Sequence, residues 1–119
     1  MKPQRLVLSR KAGFDLQGSS LALNGLPAQS VARPGKWGNP FTIAEVMAEL
    51  GVGKGAAQAE AVRRYGRWVN GTLDPELSPG PPPELAVIKA ELAGRNLACW
   101  CKAGTPCHAD RLIALANGE

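Results

Sequence analysis

The sequence predicts an α/β fold: a single small domain over residues 1–119, with a sheet packed against helices in two or three layers. Three observations carry that expectation. Short apolar runs of strand character interleave with longer runs of helical period. The length of 119 residues suits one domain and can bury a core without disulfides as staples. Composition is ordinary for a globular chain, with 45% hydrophobic and 20% charged residues.

The elements are expected in this order. "RLVLS" (5–9) reads as a short buried strand. "SLALN" (20–24) and "QSVA" (29–32) are weaker strand candidates, separated by turn signals at Asn24-Gly25 and Pro27. The loop "RPGKWGNPF" (33–41) follows. Thr42 then matches an N-cap with Glu45 three residues on, the spacing of a capping box, and the helix it opens should end near Gly51. A longer helix is expected over 56–70, with Ala61, Tyr65 and Trp68 on one face and Arg63, Arg64 and Arg67 on the other. Five of the ten prolines crowd the segment around 73–83, which reads as a surface loop. Residues 84–94 resume helix, with Leu85, Ile88 and Leu92 at helical spacing and Gly94 as C-cap. "NLACWC" (96–101) is a continuous apolar run, expected as a strand buried on both faces. The last helix is expected from Thr105 to Ala116, with Thr105 as N-cap and Pro106 in the first helical position.

The formal net charge is +4, unevenly spread. Residues 1–40 hold Lys2, Arg5, Arg10, Lys11, Arg33 and Lys36 against Asp15 alone, a balance of +5, whereas the rest of the chain balances at −1. A basic N-terminal third suits a phosphate-bearing partner; its plain alternative is a solvated basic surface. No apolar run approaches the roughly 18 residues of a membrane span, and no signal-peptide pattern is read, so the expectation is a soluble, cytoplasmic chain. The oligomeric state is not legible.

Three cysteines, Cys99, Cys101 and Cys107, lie within nine residues. An odd, crowded set is a poor disulfide framework and points instead to free thiols, a metal site or a redox site. Three readings compete for "CWCKAGTPCHADRL" (99–112). In the first, Cys101, Cys107, His108 and Asp110 line a ligand pocket at a strand's C-terminal end, where open α/β sheets bind ligands. Cys107 and His108 would sit in the first helical turn, where the macrodipole favours a thiolate or an anion. In the second, Cys99, Cys101, Cys107 and His108 hold zinc, although the adjacency of Cys107 and His108 departs from usual ligand spacing. In the third, the thiols are small buried hydrophobes and His108 lies along the core stripe with Leu112 and Leu115.

The loop at 33–41 reads as a parts list for nucleotide binding. Gly35 and Gly38 permit positive φ and close backbone approach. Pro34 and Pro40 stiffen the loop. Arg33 can fork onto two phosphate oxygens, with Lys36, Arg10 and Lys11 as further cations. Trp37 offers a flat face for a base, and Asn39 carries donor and acceptors for a base edge or ribose hydroxyl. The alternative is that Trp37 plugs the core, Asn39 takes a left-handed turn conformation and the cations face water. No Walker or Rossmann fingerprint is present.

Taken together, "LSRKAGF", "RPGKWGNPF", an "RYGRWV" helix and "NLACWCKAGTPCHADRL" closely resemble an uncharacterised family, a domain of unknown function found in bacteria and their phages. The positions this resemblance implies are Arg10, Gly13, Arg33, Trp37, Gly38, Asn39, Pro40, Phe41, Tyr65, Trp68, Cys99, Trp100, Cys101, Cys107, His108 and Asp110. The chain departs from the family in having Phe14 where a tryptophan is common, and in its extra prolines at 79–83. The family brings no settled activity; its phage context implies nucleotide or nucleic-acid metabolism.

Two functions are therefore expected in competition. The first is a nucleotide- or nucleoside-phosphate-binding protein, enzyme or not. In it, Arg33, Lys36 and Arg10 hold phosphate, Trp37 and Asn39 receive the base, and Cys107, His108 and Asp110 supply acid/base or nucleophilic groups. Adjacent residues of one helical turn diverge by about 100°, so Cys107 and His108 are not expected to pair directly. His108 is expected to pair with Asp110, Glu45 or Glu60 instead. The second is a non-enzymatic interaction or nucleic-acid-binding module with a structural, zinc-held Cys/His corner. The first requires the loop at 33–41 and the corner at 99–112 to face one shared cavity.

Overall fold

A computed structural model describes residues 2–33 and 35–118. Its sheet has three parallel strands: β1 (Arg5–Val7), β2 (Ala28–Ser30) and β3 (Asn96–Cys99), in the order β1-β3-β2. The helices are α1 (Leu16–Asn24), α2 (Ile43–Leu50), α3 (Lys54–Asn70), α4 (Leu85–Leu92) and α5 (His108–Ala116). The α/β expectation holds, with a 3₁₀ turn at Pro75–Leu77 inside the proline-rich loop.

β3, the last strand in sequence, is the middle one in space. It pairs with β1 from Arg5↔Leu97 to Val7↔Cys99 and with β2 from Ala28↔Asn96 to Ser30↔Ala98. All four of its residues are buried, as a strand flanked on both edges should be, with the amide of Asn96 fully hydrogen-bonded. Leu97 and Cys99 turn to the face covered by α5, joining Leu112, Ala109 and Ile113 in the main core with Val31, Tyr65, Ile88 and Leu92. Asn96 turns the other way and meets α1. Its amide exchanges two hydrogen bonds with the amide of Asn24 (2.8 and 2.9 Å), donates to Ser20 Oγ (2.7 Å) and accepts from the Gln4 N–H (2.8 Å). A buried amide needs such full pairing, because each unmatched polar atom would cost about 1–3 kcal/mol.

That network corrects the reading of "SLALN" as a strand. Residues 16–24 form α1, which places Ser20 and Asn24 one turn apart on the side facing Asn96 and leaves Leu21 and Leu23 exposed. Alternating apolar and polar residues mimic a strand, but the tertiary demand for Ser20 and Asn24 on one side requires helical spacing. On the same helix Gln17 caps the first residue of β2: its amide accepts from Ala28 N (2.9 Å) and donates to Ala28 O (2.8 Å).

α2 begins as expected, with Thr42 Oγ1 accepting from the Glu45 N–H (3.1 Å), and ends at Gly51 with φ 65°. α3 starts two residues earlier than expected and packs against α2 through Val46, Ala57 and Ala61. Its arginine side is not a free basic face. Arg64 is buried, bonding Glu49 (2.5 Å) and Glu60 (3.1 Å), and Arg63 also pairs with Glu60. Its partnership with Glu49 holds Arg64 above the usual arginine range and draws the Glu49 carboxyl below its own. α4 stops at Leu92, two residues short of Gly94, and Leu85 is exposed rather than part of the core stripe. The proline-rich loop is fastened to α3 by Trp68 Nε1, which donates to Gly80 O (2.8 Å). No helix among the described residues is long and apolar enough to cross a membrane.

Tyr65, the single tyrosine of the chain, is fully buried at the centre of this packing. Its ring stands edge-on to Trp68 (5.8 Å) and to His108 (5.0 Å). Burial pushes its phenol well above the ordinary value of 10. A folded-state pKa above the unfolded one stabilises the fold fully below about pH 10, and that contribution is lost as pH rises through it. On alkaline titration the phenolate absorbance should therefore appear only together with loss of helical circular dichroism. Ionisation near pH 10 in a chain that stays folded would contradict the burial.

Candidate functional site

The three parallel strands release the chain at one end of the sheet. β2 continues there through Val31 into the loop at 33–41, and β3 through Trp100 into the cysteine segment. A cavity of about 230 Å³ opens between them. Its wall is formed by Arg33, Asn39, Phe41, Ile43, Gln58, Ala61, Val62, Cys99, Trp100, Cys101 and His108. The two dense motifs thus meet in one hollow, where open α/β sheets place their ligands.

Within the loop the roles differ from the parts list. Trp37 is only 4% exposed and belongs to the core, so it offers no face for stacking. Lys36 is paired with Glu91 (2.7 Å), lies over the Trp37 ring and lines no part of this cavity. Asn39 does reach the wall, but its amide is spent on the fold: Oδ1 accepts from the Phe41 N–H (2.9 Å) and Nδ2 donates to Ala61 O (3.2 Å). It staples the loop to α3, without a left-handed backbone. Pro34, expected to stiffen the loop, lies outside the described residues. Arg33 is different. It is exposed, lines the cavity and has no hydrogen bond or ion pair among the described residues. Neither Arg10 nor Lys11 lines the cavity, although the Arg10 guanidinium sits 4.5 Å above the Trp100 ring, which does.

Gly38 serves close approach rather than positive φ. A Cβ there would stand 2.8 Å from Arg33 Cα and 2.9 Å from Arg33 N, so the loop folds directly against its own entry.

The cysteine corner is built from two elements. Cys99 ends β3, and Cys101 follows with its sulfur 3.9 Å from that of Cys99. Cys107 is the N-cap of α5, in extended conformation (φ −151°, ψ 141°). This corrects the expected start of the helix. Thr105 closes a turn instead, its N–H and hydroxyl both bonding Lys102 O (3.1 and 2.7 Å). Because the backbone is not yet helical at Cys107, the 100° divergence of neighbouring helical residues does not apply, and Cys107 Sγ lies 3.9 Å from His108 Nδ1. All three sulfurs lie within 4.8 Å of one another, and all three are free thiols.

The connection between Cys101 and Cys107 is clamped from two sides. From β1, Arg5 donates to Thr105 O (2.8 Å), Lys102 O (3.2 Å) and Asp110 Oδ2 (3.0 Å). From α3, Gln58 donates to Thr105 Oγ1 (3.1 Å) and Pro106 O (2.6 Å). The thiols share their protons unequally. Contact with Cys101 first, and then with Cys107, holds the Cys99 thiol well below the ordinary range. Cys107, facing Cys101 and then Cys99 and buried as well, is pushed far above it.

The trio expected to act as acid, base and nucleophile is not assembled. Asp110 pairs with Arg5 at the surface, while the bonds of His108 go to Cys107 and Val31. Glu60 is engaged with Arg63 and Arg64, and no bond joins Glu45 to His108. Cys107 is 1% exposed. Both ring nitrogens of His108 are occupied, Nδ1 by Cys107 and Nε2 by Val31 O (2.8 Å). Trp100, one of the positions the family resemblance implies, is 43% exposed and follows the end of β3 on the cavity wall. Two contributors, Arg5 and Gln58, were not singled out as site residues from the sequence. Arg5 had a cue, a cation inside an apolar strand run. Gln58 had none.

Replacing Gly38 with alanine should displace the Arg33 backbone and cost about 1–3 kcal/mol in denaturant unfolding, as overpacking does. A neutral Gly38→Ala would show that this close approach is not needed.

No curated protein and no solved structure matches the chain. A family does, from within α1 to the residues just past α5; the "LSRKAGF" segment precedes the match. Over residues 20–118, cavity and cysteine corner included, the chain belongs to the family described as Domain of unknown function (DUF4326).

Proposed function

We propose that this protein binds a small anionic, ring-bearing molecule of the nucleoside-phosphate class in the cavity at the strand ends. The observation that carries the reading is the Arg33 guanidinium, without a hydrogen bond or ion pair among the described residues, on the same wall as the exposed Trp100 ring. Arg33 is the group suited to bidentate phosphate contact. Trp100, supported by Arg10, takes over the stacking role first assigned to Trp37. Phe41 and Ile43 supply apolar wall. About 230 Å³ suits a partly enclosed mononucleotide, below the 300 Å³ and more of drug-sized sites. The engaged nitrogens of His108 and the burial of Cys107 favour binding over acid–base or thiol catalysis by these groups.

A second reading concerns the floor of the same cavity. Three sulfurs within 4.8 Å of one another suit one thiophilic metal ion, zinc by donor chemistry, held as a structural corner.

Thermal shift against mono-, di- and cyclic nucleotides at millimolar concentration tests the first reading. One class should raise the melting temperature, and Arg33→Ala and Trp100→Ala should each abolish the rise. No shift with any of them would remove it. For the second reading, the purified, reduced protein should carry one zinc per chain and lose structure on chelation; a fully folded protein that takes up no zinc would refute it.

A further inference from the structure

We propose that His108 Nδ1 is the fourth metal ligand, closing a Cys99/Cys101/Cys107/His108 site with the pattern C-x-C-x5-C-H. This rests on the metal reading above and adds its coordination number, its donor set and its structural character.

Tetrahedral zinc with Zn–S bonds near 2.3 Å requires sulfurs about 3.8 Å apart, and a nitrogen ligand about 3.6 Å from each sulfur. The Cys99 and Cys101 sulfurs stand 3.9 Å apart, and Cys107 Sγ to His108 Nδ1 is also 3.9 Å. Along these two edges the chain needs to move only a few tenths of an ångström; the remaining sulfur–sulfur edges, within 4.8 Å, and the approach of Nδ1 to the other sulfurs close by about 1 Å as the ion binds.

The hydrogen bond to Val31 decides the state of the imidazole. A backbone carbonyl can only accept, so the 2.8 Å contact from Nε2 requires the proton to be on Nε2. In the neutral ring Nδ1 then carries a lone pair, and it faces sulfur. This is how metal-bound histidines are oriented: the far nitrogen donates to a carbonyl and the near one binds the ion. His108 is 4% exposed, so water is a poor competitor for that lone pair. Val31 belongs to the strand exit that leads to Arg33, so the bond also ties the metal corner to the cavity wall.

The surroundings suit the charge as well. Three thiolates, one imidazole and a divalent zinc sum to −1. The amino end of α5 begins at His108 itself, and Arg5 braces the ligand loop at Lys102 and Thr105. Four protein ligands leave no open position, so the ion holds the cavity floor in shape rather than meeting the bound molecule.

Cobalt(II) titration of the reduced, metal-free full chain is the test, with circular dichroism confirming that each variant folds. The wild type should bind one cobalt, with tetrahedral d–d bands and sulfur-to-metal charge transfer from three thiolates. His108→Gln keeps an amide donor for Val31 but loses the nitrogen ligand. It should bind at least about 10-fold more weakly, with shifted d–d bands and unchanged charge transfer. His108→Cys should restore tight binding and raise the charge-transfer intensity by about one third, as a fourth thiolate joins the set. If the wild type binds no cobalt, the metal reading falls and this proposal with it. If the wild type binds cobalt but His108→Gln matches it in affinity and bands, and His108→Cys adds no charge transfer, the metal reading stands and the fourth-ligand assignment is wrong.

Discussion

β3 is held by a backbone ladder on both edges, and the rest of the molecule is arranged around that fact. A strand paired on two sides and covered on two faces must be apolar or have its polar groups fully hydrogen-bonded, as Asn96 is, and its exit point is fixed by its neighbours. β1 and β2 run parallel to it, so all three chains leave the sheet at the same end. Cys99 ends the central strand, and Trp100 and Cys101 emerge between the exits of its two neighbours. The cavity exists because helices cover the sheet's faces and leave this end to loops.

Those loops are held by bonds from distant parts of the chain rather than by their own stiffness. Arg5 reaches from the first strand to the turn before Cys107, and Gln58 reaches the same turn from α3. Asn39 fastens the opposite loop to α3, and His108 joins the two motifs through the Val31 carbonyl. The polar residues that looked most like ligand contacts are largely fixing the walls. What is left for a ligand is Arg33, whose charge has no partner among the described residues, and Trp100, whose ring is partly exposed. That charge beside exposed aromatic surface is what the proposed binding role rests on.

Much of the fold was legible in local patterns. The Thr42 cap, the stop at Gly51, the Tyr65 face of α3 and the buried run at 96–99 all follow from signals that act over one or two turns of chain. The failures are long-range. Residues 20–24 looked like a strand because alternation alone cannot foresee that Ser20 and Asn24 must face one buried amide 72 or more residues away. Arg64 looked solvated because its carboxylate partner on α2 comes near only when α2 and α3 pack together. Trp37 looked like a platform because a loop tryptophan's burial depends on what folds over it.

By itself the sequence determined the α/β class, the positions of most helices and that the crowded cysteines are a poor disulfide framework. Each of these depends on side-chain period, on cap and turn chemistry or on spacing along the chain, all of which act locally. Only the tertiary structure decided that the segments at 33–41 and 99–112 share a cavity, that Trp100 rather than Trp37 faces it, and that Asp110 turns to Arg5 while His108 turns to Val31 and the sulfurs. Those outcomes depend on which groups meet after the sheet closes around β3, and a buried donor takes whichever acceptor packing brings within reach.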